Sequence, residues 1–237
     1  MQCKDTLVVL DFDGFLINSY RLLKITFEHF GLDIGDEERF KHRRKFLKYL
    51  GGGKEFIRNF VSYSLPKKEK IRKKLTEVYL EEGKIFQQFS SLINYMINAS
   101  NIHVGIISRN FTLNPGRTIR TVLSNSNVNE EALDFVIPIS IGVKKYNVLE
   151  GMKSSRFKTC IFGADEISDY TAAYEVGYEK IVMASYGFDT RKRLVTQREI
   201  PTDIIFDTPD AIVKKMNFLI NRKDNVSCIK NSALGYR

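Results

Sequence analysis

Short apolar runs that alternate with helical patterns constrain this chain most. Leu7-Val8-Val9-Leu10, His103-Val104-Gly105-Ile106-Ile107, Phe135-Val136-Ile137, Thr159-Cys160-Ile161-Phe162, Lys180-Ile181-Val182-Met183 and Asp203-Ile204-Ile205-Phe206 each read as a buried strand. Helical signals stand between them, around Val148–Met152, through Ala172 and Ala173 to Gly177, and from Pro209 to about Asn221. Such alternation implies an α/β fold: a Rossmann-like parallel sheet with helices on both faces.

The first run ends in Asp11-Phe12-Asp13-Gly14. In open α/β sheets the carboxyl ends of strands are where ligands bind. Asp-x-Asp-Gly is also an ordinary turn sequence, because Asp and Gly favour turns. The later strands shift the balance. Ile106-Ile107 runs into Ser108, and Ile161-Phe162-Gly163-Ala164 runs into Asp165, with Asp169 four residues on. Lys144 and Lys145 precede the helix before that strand. Parallel strands place a hydroxyl, a lysine and four carboxylates on one edge of the sheet. Paired carboxylates there can hold Mg²⁺, which takes oxygen ligands, and leave one group free to attack phosphorus or move a proton.

Between Ile17 and Gln88 little reads as strand. A helix capped by Asn18 or Ser19 carries Leu22, Leu23, Ile25, Phe27 and Phe30 and closes at Gly31. Further helices are expected from about Glu38 to Leu50, Glu55 to Ser62 and Pro66 to Phe86, with Pro66 in a first turn. The expected organisation is a core of residues 1–16 and 89–221, an all-helical insert over 17–88, and a polar tail over 222–237.

The 237 residues are 43% hydrophobic, ordinary for a globular chain, and no apolar run has the length of a membrane span. No signal peptide is expected. Cys3, Cys160 and Cys228 are scattered and odd in number, which suits a reducing cytoplasm. His29, His42 and His103 form no metal-spaced cluster, which argues against zinc. The net charge is +9, yet between Arg39 and Lys74 fourteen Lys/Arg face only Glu55 and Glu69. That excess is either a solvated helical surface or an electropositive lid for a phosphorylated substrate.

On these motifs the chain resembles the haloacid dehalogenase superfamily of hydrolases, in its phosphatase form with a helical cap between the first and second motifs, as in phosphoglycolate phosphatase-like members. The resemblance runs from about Thr6 to Ile220. The first motif matches Leu10 to Ser19, the second Ser108, the third Lys144 or Lys145, with Lys145 preferred because Val148 and Leu149 then fall at helix positions after it, and the fourth Asp165-Glu166-Ile167-Ser168-Asp169, followed by Ala172-Ala173 and Gly177. The resemblance implies Asp11 as nucleophile, Asp13 as general acid and base, Ser108 on a phosphoryl oxygen, and Lys144 or Lys145 neutralising charge. It implies a Mg²⁺ cofactor held by Asp11, the Asp13 carbonyl and Asp165, with Asp169 binding a metal water or orienting that cluster. Dehalogenases lack the second aspartate, so Asp13 favours phosphoryl transfer.

Gly14, Arg109 and Asn110 are candidate phosphate contacts. Gly51-Gly52-Gly53-Lys54 falls where related caps carry a specificity loop, though a plain helix–helix turn fits equally; Gly52, Lys54 and Arg58 are the candidate substrate contacts there. This stretch is not a nucleotide P-loop, since Glu55 follows the lysine. Phe15, Ala164 and the lack of a proline after either lysine depart from the pattern, and Phe15 could narrow the catalytic loop. The expected substrate is a small phosphorylated metabolite. A nucleotide or nucleic-acid-end phosphatase is a weaker alternative, for want of aromatic interleaving; a phosphomutase and a non-catalytic binding module complete the set.

Overall fold

The computed structural model describes residues 6–37, 66–140, 142–155 and 157–221. Six parallel strands form one sheet: β1 (Thr6–Asp11), β2 (Ile102–Ser108), β3 (Phe135–Pro138), β4 (Thr159–Ala164), β5 (Lys180–Ala184) and β6 (Ile205–Phe206), in the order β3-β2-β1-β4-β5-β6. The order reverses at β1, so a crevice opens between the ends of β1 and β4. Register carries the chemistry to one edge: Asp11 lies opposite Ile107, one residue short of Ser108, and Leu10 opposite Gly163.

The helices among the described residues are α1 (Ser19–Glu28), α2 (Lys68–Glu82), α3 (Gln87–Asn98), α4 (Pro115–Ser124), α5 (Lys145–Met152), α6 (Ile167–Val176), α7 (Arg191–Arg198) and α8 (Pro209–Asn221). Both faces of the sheet are covered, so strand residues are apolar on both sides. Val8 and Leu10 face a core with α1 to α4 and α8. Leu7 and Val9 face a second core with α5, α6 and α7. No helix among the described residues is long and apolar enough to cross a membrane.

Several boundaries differ from expectation. The helix expected over Pro66–Phe86 begins at Lys68, with Pro66 outside its Lys67 N-cap, and stops at Glu82. It stops because Gly83 turns extended and Ile85 forms an isolated antiparallel bridge with Ile17. Three helices were not expected: α3, α4 and α7. Asp203 and Ile204 sit in a short 3-10 turn, leaving only Ile205–Phe206 as strand. The helices expected over Glu38–Leu50 and Glu55–Ser62, most of the basic excess, and the tail lie outside the described residues.

Phe15 turns away from solvent. It is fully buried, its ring 5.3 Å from that of Phe89 and packed over Gly163, where a Cβ would come within 2.5 Å of it. Phe15 thus anchors the turn after β1 from beneath.

Candidate active site

The turn after β1 is shaped by Gly14, at φ +79°, a region L side chains rarely adopt. Its N–H lies within bonding distance of the Ile17 carbonyl (3.1 Å) and Ser19 Oγ (3.2 Å). A Cβ on Gly14 would lie 2.2 Å from Asp165 Oδ2, and one on Gly187 would lie 2.3 Å from the same atom. Two bare backbones therefore cradle the Asp165 carboxylate.

Two adjoining clusters result. In the first, Asp11, Asp165 and Asp169 are all buried, with one carboxylate oxygen from each lying within 4.8 Å of the others. Lys145, the first residue of α5, reaches in: its Nζ stands 2.9 Å from Asp11 Oδ2 and 2.6 Å from Asp169 Oδ2. Asp165 Oδ2 accepts from the Phe188 N–H, while its Oδ1 is buried with no hydrogen-bond partner. Burial pushes the Asp165 carboxyl well above its usual range, helped by the charges of Glu166 and Asp11. Burial likewise raises Asp11, against the pull of Lys145. Burial alone would depress Lys145, but Asp11 and Asp169 outweigh it and hold its ammonium charged. Of three buried carboxylates two share one lysine, and the third, Asp165, keeps an oxygen without a partner. That donor chemistry fits a hard divalent cation with oxygen ligands.

The second cluster surrounds Asp13. Its Oδ1 accepts from Ser19 Oγ (2.7 Å) and Tyr79 Oη (2.5 Å). Its Oδ2 accepts from Ser108 Oγ (2.9 Å) and Asn110 Nδ2 (3.0 Å). Asn110 is fixed in turn, because its Oδ1 accepts from the N–H and Oγ1 of Thr112. Burial, with the Asp13 charge beside it, pushes the Tyr79 phenol well above its usual value, so it remains a donor.

The candidates from the sequence thus divide. Asp11, Asp165, Asp169 and Lys145 converge in one cluster, and Asp13, Ser108 and Asn110 in the other. Gly14 joins by its backbone. Lys144 does not converge: it is the exposed N-cap residue of α5, while Lys145 points inward one residue later. Arg109 is also exposed and donates to the Val143 carbonyl (2.8 Å), bracing the loop ahead of Lys144. Gly52, Lys54 and Arg58 lie outside the described residues.

Sequence reasoning missed Ser19 and Tyr79 as partners of Asp13. It also missed Asp189, a buried residue whose Oδ2 accepts from the N–H of Ile167 (2.9 Å), anchoring the helix that carries Asp169. Beside Gly14 opens a cavity of about 200 Å³, walled by Tyr20, Phe86, Tyr186 and Phe188 with Glu37 at its edge. Its lining among the described residues holds no Lys or Arg.

No family model and no curated protein matches the sequence. Solved structures do match. A haloacid dehalogenase-like hydrolase from Streptococcus pneumoniae is 18% identical with a TM-score of 0.57, over 90% of this chain and 99% of that one. This is the fold of the haloacid dehalogenase-like hydrolases. CbbY from Rhodobacter sphaeroides, solved in complex with phosphate, is 18% identical with a TM-score of 0.56, over 85% of this chain and 93% of that one. YfnB from Bacillus subtilis, described as a HAD-hydrolase and bound to magnesium, is 12% identical with a TM-score of 0.58, over 90% and 99%. Within the haloacid dehalogenase-like fold, the acidic cluster and the Asp13 cluster occupy the β1/β4 crevice.

Proposed function

We propose that the protein is a Mg²⁺-dependent phosphatase of a small phosphorylated metabolite, working through an aspartyl-phosphate on Asp11. The observation that supports this most is the buried trio Asp11, Asp165 and Asp169 with Lys145 among them, beside an Asp13 ringed by donors. Asp11, Asp165 and Asp169 would hold the ion, with the Asp13 carbonyl. When bound, the ion would offset repulsion between carboxylate and phosphate.

In the first half-reaction Asp11 forms a bond to phosphorus as the bond to the leaving oxygen breaks, and Asp13 gives that oxygen its proton. In the second, water attacks the phosphorus and hands a proton back to Asp13, and the Asp11 carboxylate is released. One hard displacement becomes two. Lys145 neutralises charge on Asp11 as negative charge gathers. Ser108 and Asn110 turn from Asp13 to the phosphoryl oxygens when substrate arrives. Residues 17–88 serve as a cap, with Gly52, Lys54 and Arg58 offered to the substrate, and the cavity beside Gly14 accommodates apolar parts of it. The scattered cysteines suit a cytoplasmic setting.

The test is phosphate release from an aryl phosphate, with and without Mg²⁺. Wild type is expected to need Mg²⁺, and Asp11→Asn to lose at least about a thousandfold in kcat, the scale of an essential group. Activity indifferent to Asp11→Asn would sink the reading. Phosphate moved within a sugar phosphate, instead of released, would assign a phosphomutase.

A further inference from the structure

The residue least explained by the proposed chemistry is Tyr79. It is buried on α2, 66 residues from Asp13 along the chain, yet its hydroxyl reaches Asp13 Oδ1. An aromatic on the stripe Ile71, Leu75, Val78 and Tyr79 needs only to fill the core. This one also spends its hydroxyl on the candidate acid.

The helix is held for that contact. Arg72 Nε donates to the Phe111 carbonyl (3.0 Å) and its Nη2 to the Thr112 carbonyl (2.9 Å). The Leu113 N–H donates to Thr76 Oγ1 (2.9 Å). Arg72, Thr76 and Tyr79 are spaced four and three apart, so they share one helix face. That face is clamped to the loop carrying Asn110, the donor on the other oxygen of Asp13.

The division between the two oxygens is what matters. Ser108 and Asn110, at the end of β2, hold Oδ2. Ser19 and Tyr79, on α1 and α2, hold Oδ1. A carboxylate turns about one bond, so fixing one oxygen fixes the direction of the other. When a phosphoryl group draws Ser108 and Asn110 away, Oδ2 is left facing it, and Oδ1 stays tied.

The geometry points to Tyr79 as a positioning residue that, with Ser19, ties Asp13 Oδ1 and so aims Oδ2 at the leaving oxygen of the substrate. This rests on the phosphatase reading above. It assigns Tyr79 no contact with substrate and no proton of its own.

The experiment uses the full chain with saturating Mg²⁺ and a series of aryl phosphates of rising leaving-group pKa. In such a series kcat/KM reports the step in which Asp13 protonates the leaving oxygen. An easy leaving group scarcely needs that proton, and a poor one depends on it. Tyr79→Phe keeps the ring and removes the hydroxyl. Its loss in kcat/KM should grow from about 2-fold with para-nitrophenyl phosphate to about 50-fold with phenyl phosphate, below the roughly 10²–10⁴ of a whole general acid. Ser19→Ala, on a different helix, should show the same trend if Tyr79→Phe folds poorly. In an Asp13→Asn background, Tyr79→Phe should cost nothing further, because the two act as one unit.

A loss equal across the series, or no loss, in both variants would overturn the inference; so would a full additional loss in the Asp13→Asn background. Failure of the underlying phosphatase reading shows separately, as wild-type activity that survives Asp11→Asn, and would remove the inference with it.

Discussion

Lys144 and Lys145 are neighbours of the same type, and their surroundings separate them. One caps a helix in water; the other is buried between two carboxylates. Lys145→Ala is expected to lower kcat by about 10²–10³, the scale of a lost electrostatic stabiliser. It should also lower the melting temperature, since removing one partner of a buried pair costs about 3–5 kcal/mol. Lys144→Ala should leave kcat within about twofold and stability within about 0.5 kcal/mol, as exposed substitutions usually do. Steady-state kinetics and thermal unfolding of the two variants check both. At this scale Asp11, Ser108 and Asp165 were legible, because each stands at or directly after the end of a readable strand, and Asp13 and Asp169 followed from their short spacing to Asp11 and Asp165. The choice between the lysines was legible only from helix phase: Val148 and Leu149 fall at helix positions after Lys145, and Lys145 is the one that turns inward. Tyr79 was hidden for another reason: on its own helix it reads as a core aromatic, and only the tertiary fold brings it to Asp13.

Among elements, the strands were legible because their apolar runs are short and bounded. The helices were less so. In α3, Phe89, Leu92, Ile93 and Met96 carry helical spacing, but Phe86 at the N-cap supplies no side-chain cap to announce it. The signals for α4 were present, with Asn114 capping and Pro115 at the first turn. By contrast α7 is Arg-Lys-Arg-Leu-Val-Thr-Gln-Arg, with Leu194 its buried apolar residue, so it has almost no pattern to read. The loops at the strand ends make their own prediction. Gly187→Ala would place a methyl 2.3 Å from Asp165 Oδ2 and 2.5 Å from the Gly14 carbonyl oxygen. It should displace that carboxylate, raise the Mg²⁺ concentration needed for half-maximal activity at least about tenfold, in line with the 10–100-fold typical of disturbed ligand support, and leave the strands intact by circular dichroism.

For the whole molecule, the buried acids are a liability until a cation joins them. Mg²⁺ at about a hundred times its Kd should add about 2.7 kcal/mol to unfolding stability, which is roughly 5–10 °C for a chain of this size. Asp165→Asn removes a buried carboxylate that burial already holds well above its usual range. Without Mg²⁺ this variant should melt above wild type, and with Mg²⁺ it should gain little. Thermal unfolding of both proteins with and without the ion tests it, and equal Mg²⁺ shifts would exclude Asp165 as a ligand. The single antiparallel bridge between Ile17 and Ile85 has a consequence of a different kind. The points where the chain leaves β1 and returns towards α3 lie side by side, while α1 and α2 between them pack into the first core. Closure entropy grows only with the logarithm of loop length, so a change of length between α1 and α2 should cost little, whereas a splice that also replaced those helices would strip Leu22, Leu23, Phe27, Ile71 and Leu75 from the core. The splice would not be neutral for chemistry. Ser19 and Tyr79 both lie inside the exchanged stretch, so every graft would have to bring its own grip on Asp13.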